Sequence, residues 1–533
     1  MVVLGLNLGH DGAACVVVGG QLRSALSRER LSRQKKQSGV DLPLIERVLE
    51  LAGVELADVQ HVAFAGYGHG HALQVADAAT GEVLDHNLFN LDPGVYFREY
   101  DCRIAGRRIP GFFVQHQLSH CASAYYTSPF ESAACLSMDA SQDPPSACSL
   151  FAVGEGSELR PLGCPGLMIG NAYYHFTEQL GIGDGLFKAG STMGLAAYGK
   201  AARHPRHEEF LRDFHSRPFA TDQEFIQWMW TELTGLAPFE RMGEIDQRTM
   251  DIAATLQLVF EEVVLAAART LRVQAQGRHG GNLCLSGGSF LNCNANARLK
   301  REAGFERLHL FPGCGDDGTA AGSALFVAHQ LLGEKRARYS ARELASLGGD
   351  SSPERRGRDL DLDLAVEALA SGKVVGWHQG RSEFGPRALG HRSLLADPRS
   401  PTMRDHLNFQ VKHREWFRPF APVVLEERVG EWFSDPDPSP FMLLTSQVLR
   451  PELVPAVTHV DGSARIQTVN ARDEPLYHEL IARFGQATGV PMLLNTSFNL
   501  GGEPLVESAA DSFATFARSK VDLLVVGDQM YLK

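Results

Sequence analysis

The 533 residues exceed what one hydrophobic core usually serves, so at least two domains are expected. Apolar content of 44% with 21% charged residues is that of a globular protein in water, and no run of roughly 18 apolar residues suits a membrane span. The 51 basic against 63 acidic residues leave a net charge of −12, which argues against a nucleic-acid partner and confines any phosphate ligand to local basic clusters. The nine cysteines are scattered and form no CxxC pair, so neither a disulfide framework nor a zinc ribbon is suggested, and a reducing cytoplasm fits.

The chain opens as strand, turn and strand: Val2 to Leu8, Gly9-His-Asp-Gly12, Ala13 to Val18, then Gly19-Gly20 and Leu22 to Leu26. The glycines at 9 and 12 let the backbone pass close to a ligand. A dense basic run, Ser27 to Lys36, lies beside that turn. Leu42 to Ala52 is an amphipathic helix and His61 to Ala65 a strand. The apolar stretch Gly111 to Gln115 then leads into His116-Gln-Leu-Ser-His120. Two histidines four residues apart share one helical face, where both imidazoles reach one metal ion; two ordinary histidines on a polar face are the alternative. Asp139, closing an apolar strand, and Asp316, in Pro312-Gly-Cys-Gly-Asp-Asp-Gly318, are the next ligand candidates. Two imidazoles with oxygen ligands suit iron(II), manganese or zinc.

Gly181 to Gly185 and Lys188 to Gly194 read as glycine-dense loops, with Lys188 placed to approach an anion or else part of a long surface loop. Segment 203 to 249 shows poor periodicity; its Trp228 and Trp230 either shape an acceptor pocket or pack a subdomain core. Asp251 to Arg269 is a buried helix. Asn282 to Ser286 is a strand ending in Gly287-Gly288, and after Asn292 a helix starts at Cys293, an arrangement in which free N–H groups and the helix dipole face a phosphate. Asp316-Asp317-Gly318 and the small-residue helix Thr319 to Ala328 repeat that pattern.

Between Gly333 and Asp361 the chain turns charged and Ser/Gly/Pro-containing, which divides it into residues 1–345 and 346–533. In the second part, helix Leu362 to Ala370 and strand Lys373 to Trp377 precede Glu383-Phe-Gly-Pro-Arg-Ala-Leu-Gly-His-Arg-Ser393. Together with Arg399, Lys412, Arg414 and Arg418, the arginines 387 and 392 alternate with Gly, Pro and aromatic residues, as expected of a rigid pocket for phosphate or carboxylate. Arg465 lies on the strand Ser463 to Val469, and Pro491 to Asn499 is a strand ending in hydroxyls and amides. Helix Ala509 to Ser519 and strand Val521 to Val526 close the chain as α/β.

With these motifs in hand, the chain resembles the O-carbamoyltransferases of antibiotic and nodulation-factor biosynthesis, over nearly its whole length. Gly9-His-Asp-Gly12, His116-x3-His120, Met193-Gly-Leu-Ala-Ala-Tyr-Gly199, Gly287-Gly-Ser-Phe-Leu-Asn292, Glu383 to Gly390, Arg418-Pro-Phe-Ala-Pro422 and Asn495-Thr-Ser-Phe-Asn499 carry the resemblance. It implies an N-terminal actin-like ATPase fold, related to threonylcarbamoyl transfer, and a C-terminal YrdC-like domain that joins carbamoyl phosphate and ATP into carbamoyl-adenylate with release of pyrophosphate. It implies metal ligands His116, His120, Asp139 and Asp316, with iron(II) the usual metal and Mg(II) accompanying ATP. Carbamoyl phosphate would meet Arg387, Lys412, Arg414, Arg418, Arg465 and Ser497, with Asn495 and Thr496 nearby. The adenylate would lie along Gly287, Gly288 and Asn292 with Lys188, and Lys35 would stand close to its carbamoyl end. Two departures stand out: Gly190-Ser-Thr-Met193 replaces the Gly-Lys-x-Met of many relatives, and Ala140-Ser-Gln-Asp143 replaces a Gly-x-Gly.

Carbamoyl is a poor electrophile because its nitrogen lone pair feeds the carbonyl, so a mixed anhydride and a Lewis acid both help. The attacking alcohol needs a base, for which His10 and Asp11 in the glycine turn are candidates, His10 first. The expected partner is a small-molecule hydroxyl acceptor for a monomer or homodimer, with no nucleic acid and no membrane. An actin-fold small-molecule kinase would use the same glycine loops but leaves the basic second domain unexplained. Threonylcarbamoyl transfer to tRNA fits poorly with the charge of −12.

Overall fold

Three mixed β-sheets carry the computed structural model, which describes all residues except 67–71, 79, 82, 84–90, 92–93, 141–147, 206, 217–218, 220, 238–241 and 354–355. The first sheet is built from β1 (Val2–Asn7), β2 (Ala13–Val18), β3 (Gln21–Ser27), β4 (His61–Ala65), β5 (Leu73–Asp77), β6 (Phe97–Ile104) and β7 (Arg107–Val114), in the order β3-β2-β1-β4-β7-β6-β5. β1, β2 and β3 form an antiparallel meander, and β1 then pairs in parallel with β4, as β4 does with β7. The second sheet repeats that plan. Its strands β8 (Ser132–Met138), β9 (Ser149–Glu155), β10 (Glu158–Gly163), β11 (Asn282–Ser286) and β12 (Arg307–Leu310) run in the order β10-β9-β8-β11-β12, antiparallel through the first three and parallel from β8 to β12. One topology used twice is the duplicated α/β architecture of the actin-like ATPases.

Two helices fill the space between these sheets, His116–Thr127 and Gly318–Phe326. Leu118, Ala122, Ala321 and Leu325 share one apolar cluster with Val3 and Val17 of the first sheet and Cys135 and Ala152 of the second. Small residues set the approach: a Cβ on Gly322 would stand 1.8 Å from the Ser119 carbonyl oxygen, and one on Gly5 would stand 2.2 Å from that of Ala320. The outer face of the second sheet is covered by helices Ile169–Gln179, Gly185–Ala196 and Gln247–Gln274.

The third sheet takes its strands from residues 358–532: β13 (Arg358–Asp359), β14 (Val375–His378), β15 (Arg392–Ala396), β16 (Ala421–Leu425), β17 (Leu444–Gln447), β18 (Ser463–Val469), β19 (Met492–Ser497), β20 (Leu523–Val526) and β21 (Gln529–Leu532). Their order is β13-β21-β20-β14-β15-β19-β16-β18-β17, with helices Leu362–Ala370 and Pro475–Thr488 packed on one face, the α/β arrangement expected of the YrdC-like part. No helix among the described residues is long and apolar enough to cross a membrane.

Two expectations are corrected. The glycine-dense stretch around Lys188 is helical, Gly185–Ala196, capped by the Asp184 carboxylate on Leu186 N–H. Its glycines allow close packing: a Cβ on Gly185 would lie 2.4 Å from the Tyr174 carbonyl oxygen. Segment 203 to 249 contains helices His207–Ser216 and Asp222–Thr234, and Trp230 is buried in the core with Trp228 packed against it. Of the two roles open to these aromatics, the described contacts are those of a subdomain core. Ser141-Gln-Asp143 and Arg355 lie outside the described residues.

Candidate functional site

The four predicted metal ligands converge. His116 and His120 stand on the first turns of a helix that follows β7 directly, and the Gln115 side chain caps its N-terminus by accepting from Leu118 N–H. Asp139 follows β8, and Asp316 precedes the helix Gly318–Phe326, so the ligands come from the ends of strands and helices of both repeats. His116 Nε2 and His120 Nε2 are 3.2 Å apart. His120 Nε2 is 3.3 Å from Asp139 Oδ2 and 3.4 Å from Asp316 Oδ1, and His116 Nε2 is 3.6 Å from Asp316 Oδ1. All four atoms lie within 4.8 Å of one another. Ligands about 2.1 Å from a shared cation would be separated by about 3.0–3.4 Å. The residues therefore fit a divalent metal, and two carboxylates with two neutral imidazoles balance its charge. Ser286 Oγ, 3.3 Å from His120 Nδ1, fixes the outer nitrogen of that ring. The negative potential is visible at His116: burial pushes its pKa down, but the Asp316 and Asp139 carboxylates outweigh it and raise it to about 10.

The turn after β1 faces this cluster. Asn7 Nδ2 donates to the carbonyls of His10 and Asp11 at 3.0 and 3.1 Å, and Asp11 takes a left-handed φ of 56°. His10 lies between carboxylates, with Nε2 3.1 Å from Asp316 Oδ2 and Nδ1 3.2 Å from Asp11 Oδ2. The Asp316 charge raises its pKa to about 9. Lys36, which sequence reasoning passed over in favour of Lys35, reaches Asp11 Oδ2 at 2.9 Å.

The diglycine borders the same cluster. Gly288 N–H donates to Asp139 Oδ2 at 3.2 Å. Gly287 has φ 106°, and a Cβ there would strike the Met138 carbonyl at 2.1 Å. Asn292 is occupied within the fold: its amide makes a reciprocal pair with Gln257 at 3.0 and 2.9 Å, and its oxygen caps the helix Cys293–Glu302. Lys188 pairs with Glu415 of the second domain.

The cationic candidates of the second domain also come together. Lys412 is buried and held by Ser497 and Asn499, its Nζ donating to Ser497 Oγ at 3.2 Å and Asn499 Oδ1 at 2.8 Å. Burial, then the charges of Arg414, Lys35 and Arg418, drive its pKa well below the usual lysine value. Burial and Arg465 lower Arg387 to about 9; its Nε, like that of Arg465, has no hydrogen-bond partner among the described residues. Arg414 is likewise lowered by burial and by Arg418 and Arg465, while stacking on the Phe420 ring at 4.4 Å. Buried Lys412 and the half-buried Arg387, Arg414, Arg418 and Arg465 crowd together and outnumber the nearby acids Glu415 and Glu503, a surplus of positive charge that suits an anion. Asn495 is a scaffold residue, donating to the Ala388 carbonyl and Gln467 Oε1, while Thr496 sits in register with Leu394 on β15. Two cations of the predicted pocket are not part of it. Arg392 is fully buried and donates to the carbonyls of Glu507, Gln379 and Gly349, and Arg399 pairs with Asp397. Glu383, unforeseen, orders the motif by accepting from the N–H groups of Leu389, His391 and Arg392.

The first domain reaches into this region through Arg28–Ser32 and the loop after it. Arg30 donates to the Gly385 carbonyl at 2.7 Å and Arg33 to those of Leu505 and Pro504 at 2.6 and 3.0 Å. Lys35 is solvent-exposed, and partial desolvation of its ammonium group, with Arg418 nearby, lowers its pKa.

Comparison with known proteins follows the same division. A family model described as "Carbamoyltransferase N-terminus" matches residues 2–325, and one described as "Carbamoyltransferase C-terminus" matches residues 366–533. The nodulation protein NolNO of Sinorhizobium fredii is 37% identical, over 98% of this chain and 79% of its own. The 3′-hydroxymethylcephem-O-carbamoyltransferase of Streptomyces clavuligerus is 30% identical, over 100% of this chain and 99% of its own. Among solved structures, HypF of T. kodakarensis aligns with a TM-score of 0.31 at 10% identity, over 62% of this chain and 48% of that one. On the two family models and these full-length relatives, the chain belongs to the carbamoyltransferase family.

Proposed function

We propose that this protein is an ATP-dependent O-carbamoyltransferase with two reaction sites. In the second domain, carbamoyl phosphate, ATP and water give carbamoyl-adenylate, pyrophosphate and phosphate. In the first, the hydroxyl of a small molecule attacks the carbamoyl carbon, forming the carbamate ester and releasing AMP. The observation that carries this reading is the pairing of a four-ligand cluster in one domain with a cation cluster around buried Lys412 in the other, where Lys35 of the first domain stands near Lys412. Arg387, Arg414, Arg418 and Arg465 hold phosphoryl oxygens, and Lys412, anchored by Ser497 and Asn499, lies beside them at a fixed position.

In the first domain, His116, His120, Asp139 and Asp316 would hold a divalent metal, iron(II) by resemblance. Such an ion supplies Lewis acidity toward a carbonyl oxygen that gains charge. Gly287, packed on the Met138 carbonyl, and Gly288, whose N–H meets Asp139, border the place proposed for the adenylate phosphate. His10, oriented by Asp11 through Nδ1, takes the proton from the acceptor hydroxyl. The carboxylate that raises His10, Asp316, is itself a candidate ligand, and a cation there offsets its pull. The acceptor class is supported by the cephem-modifying relative, whose named substrate carries a hydroxymethyl group.

The test is product analysis with ATP, radiolabelled carbamoyl phosphate and a panel of alcohols that includes a 3′-hydroxymethylcephem. AMP, pyrophosphate and a labelled alcohol are expected. ADP with a phosphorylated alcohol would replace this reading with a kinase.

A further inference from the structure

The loop at residues 36–39 is fastened against the turn that carries His10. Gly12 N–H donates to the Gln37 carbonyl at 2.9 Å, and Gly39 N–H donates to the Gly9 carbonyl at 3.0 Å. A Cβ on Gly12 would stand 2.0 Å from the Gly39 carbonyl oxygen, so no side chain fits between the two segments. Within this contact Lys36 and Asp11, both non-glycine residues, hold left-handed backbone at φ 56°. Two such conformations facing each other cost free energy that the surroundings must offset, and strain of this kind collects at functional sites. The result is a directed chain of side chains: Lys36 Nζ to Asp11 Oδ2 at 2.9 Å, Asp11 Oδ2 to His10 Nδ1 at 3.2 Å, and His10 Nε2 to Asp316 Oδ2 at 3.1 Å. Lys36 is itself fixed by its own N–H, which donates to Glu29 Oε2 at 2.8 Å.

We propose that Lys36 is a positioning residue for carbamoyl transfer, which acts through Asp11 to hold the His10 ring with Nε2 turned toward the four-ligand cluster. A carboxylate with free rotation has two equivalent oxygens and no fixed direction; the ammonium group pins the oxygen that meets Nδ1, and the imidazole follows. Among the described residues the Lys36 ammonium pairs with Asp11 rather than with the four ligands or the cations of the second domain, which assigns it to the transfer step. The anchoring of the preceding residue Arg33 on the Pro504 and Leu505 carbonyls keeps the same loop registered against the second domain.

This inference rests on the transfer reaction proposed above, and the experiment separates the two. The variants are Lys36→Met, Lys36→Arg, Asp11→Asn and the double variant, with His116→Ala as reference. The readouts are carbamoyl-phosphate-dependent ATP–pyrophosphate exchange, metal content, and kcat and KM for carbamoyl transfer to a 3′-hydroxymethylcephem and to water, the latter taken as the AMP release that His116→Ala abolishes. Lys36→Met is expected to lower the transfer kcat by about tenfold or more, the scale set by loss of an outer-shell partner, with KM, exchange and metal content near wild type. Lys36→Arg should recover most of the rate. The double variant should be no slower than Asp11→Asn, because both substitutions break one chain. Wild-type kcat in Lys36→Met, or effects of Lys36→Met and Asp11→Asn that simply multiply, overturns the role of Lys36. If wild type carbamoylates neither probe and His116→Ala changes nothing, the transfer reading itself fails and this inference with it.

Discussion

The metal cluster depends on how closely two helices approach, and Gly322→Ala tests that dependence. His116 and His120 ride on one helix, while Asp316 precedes the other, and Gly322 is the point where the second meets the Ser119 carbonyl of the first. An alanine Cβ would stand 1.8 Å from that oxygen. A carbon–oxygen contact needs about 3.3 Å, so the helices must part by about 1.5 Å. Metal sites tolerate ligand displacements of only about 0.2 Å, and the change is several times larger. The expected consequence is a loss of metal affinity of about 10–100-fold or more. Overpacking should cost about 1–3 kcal/mol of stability, which leaves most of the protein folded. Affinity is measured by titrating metal-stripped protein against a chromophoric chelator, with circular dichroism as the control for folding. A folded variant that binds metal as tightly as wild type would refute the argument that this contact sets the ligand geometry.

Two further outcomes follow from the charge arrangement. Arg387→Met removes a buried cation that burial and Arg465 already hold at a pKa of about 9; the unliganded variant should melt no lower than wild type, yet lose the rise in melting temperature that pyrophosphate gives the wild type. A lower melting point without ligand would mean that Arg387 is a structural cation. His391 has acceptors at both ring nitrogens, the Gln379 carbonyl at 2.9 Å and Glu474 Oε1 at 2.9 Å, and although burial opposes it, the Glu474 carboxylate holds its pKa above the ordinary value. The stabilisation from its protonated form is fully present below about pH 6.5 and is lost as pH rises through the raised folded-state value. Melting curves of His391→Asn across that range should show a flatter pH dependence than wild type, and an unchanged slope would remove the ion pair from the account.

Much of the site was legible because its chemistry is local in sequence. The i, i+4 spacing of His116 and His120, the apolar strand before Asp139 and the diglycine after β11 each announce themselves within a few residues. The helices Leu42–Ala52 and Leu362–Ala370 have the bounds read from the sequence, and in the structure Asp41 and Asp361 cap them. What escaped was set by tertiary contact. The glycines around Lys188 resemble a loop in composition, but Gly185 and Gly194 are small because Tyr174 and Pro419 press against them. The basic stretch 383 to 418 mixes cations of two kinds, and only burial against the carbonyls of Glu507, Gln379 and Gly349 separates the structural Arg392 from Arg387. Lys36 differs from Lys35 in sequence by one position, but the left-handed turn sends one to Asp11 and the other toward Arg418 and Lys412. The edge strand β10 and the short strand β21 carry too little alternation to be seen without their partners.

The division of labour between the domains is tested most directly by carbamoyl-phosphate-dependent ATP–pyrophosphate exchange without acceptor, in wild type, Lys412→Ala and His116→Ala. Exchange that disappears in Lys412→Ala and persists in His116→Ala is the predicted result, since adenylation needs the buried cations and transfer needs the metal ligands. Absence of exchange in wild type, or its loss in His116→Ala with the protein still folded, would contradict a carbamoyl-adenylate made in the second domain and used in the first.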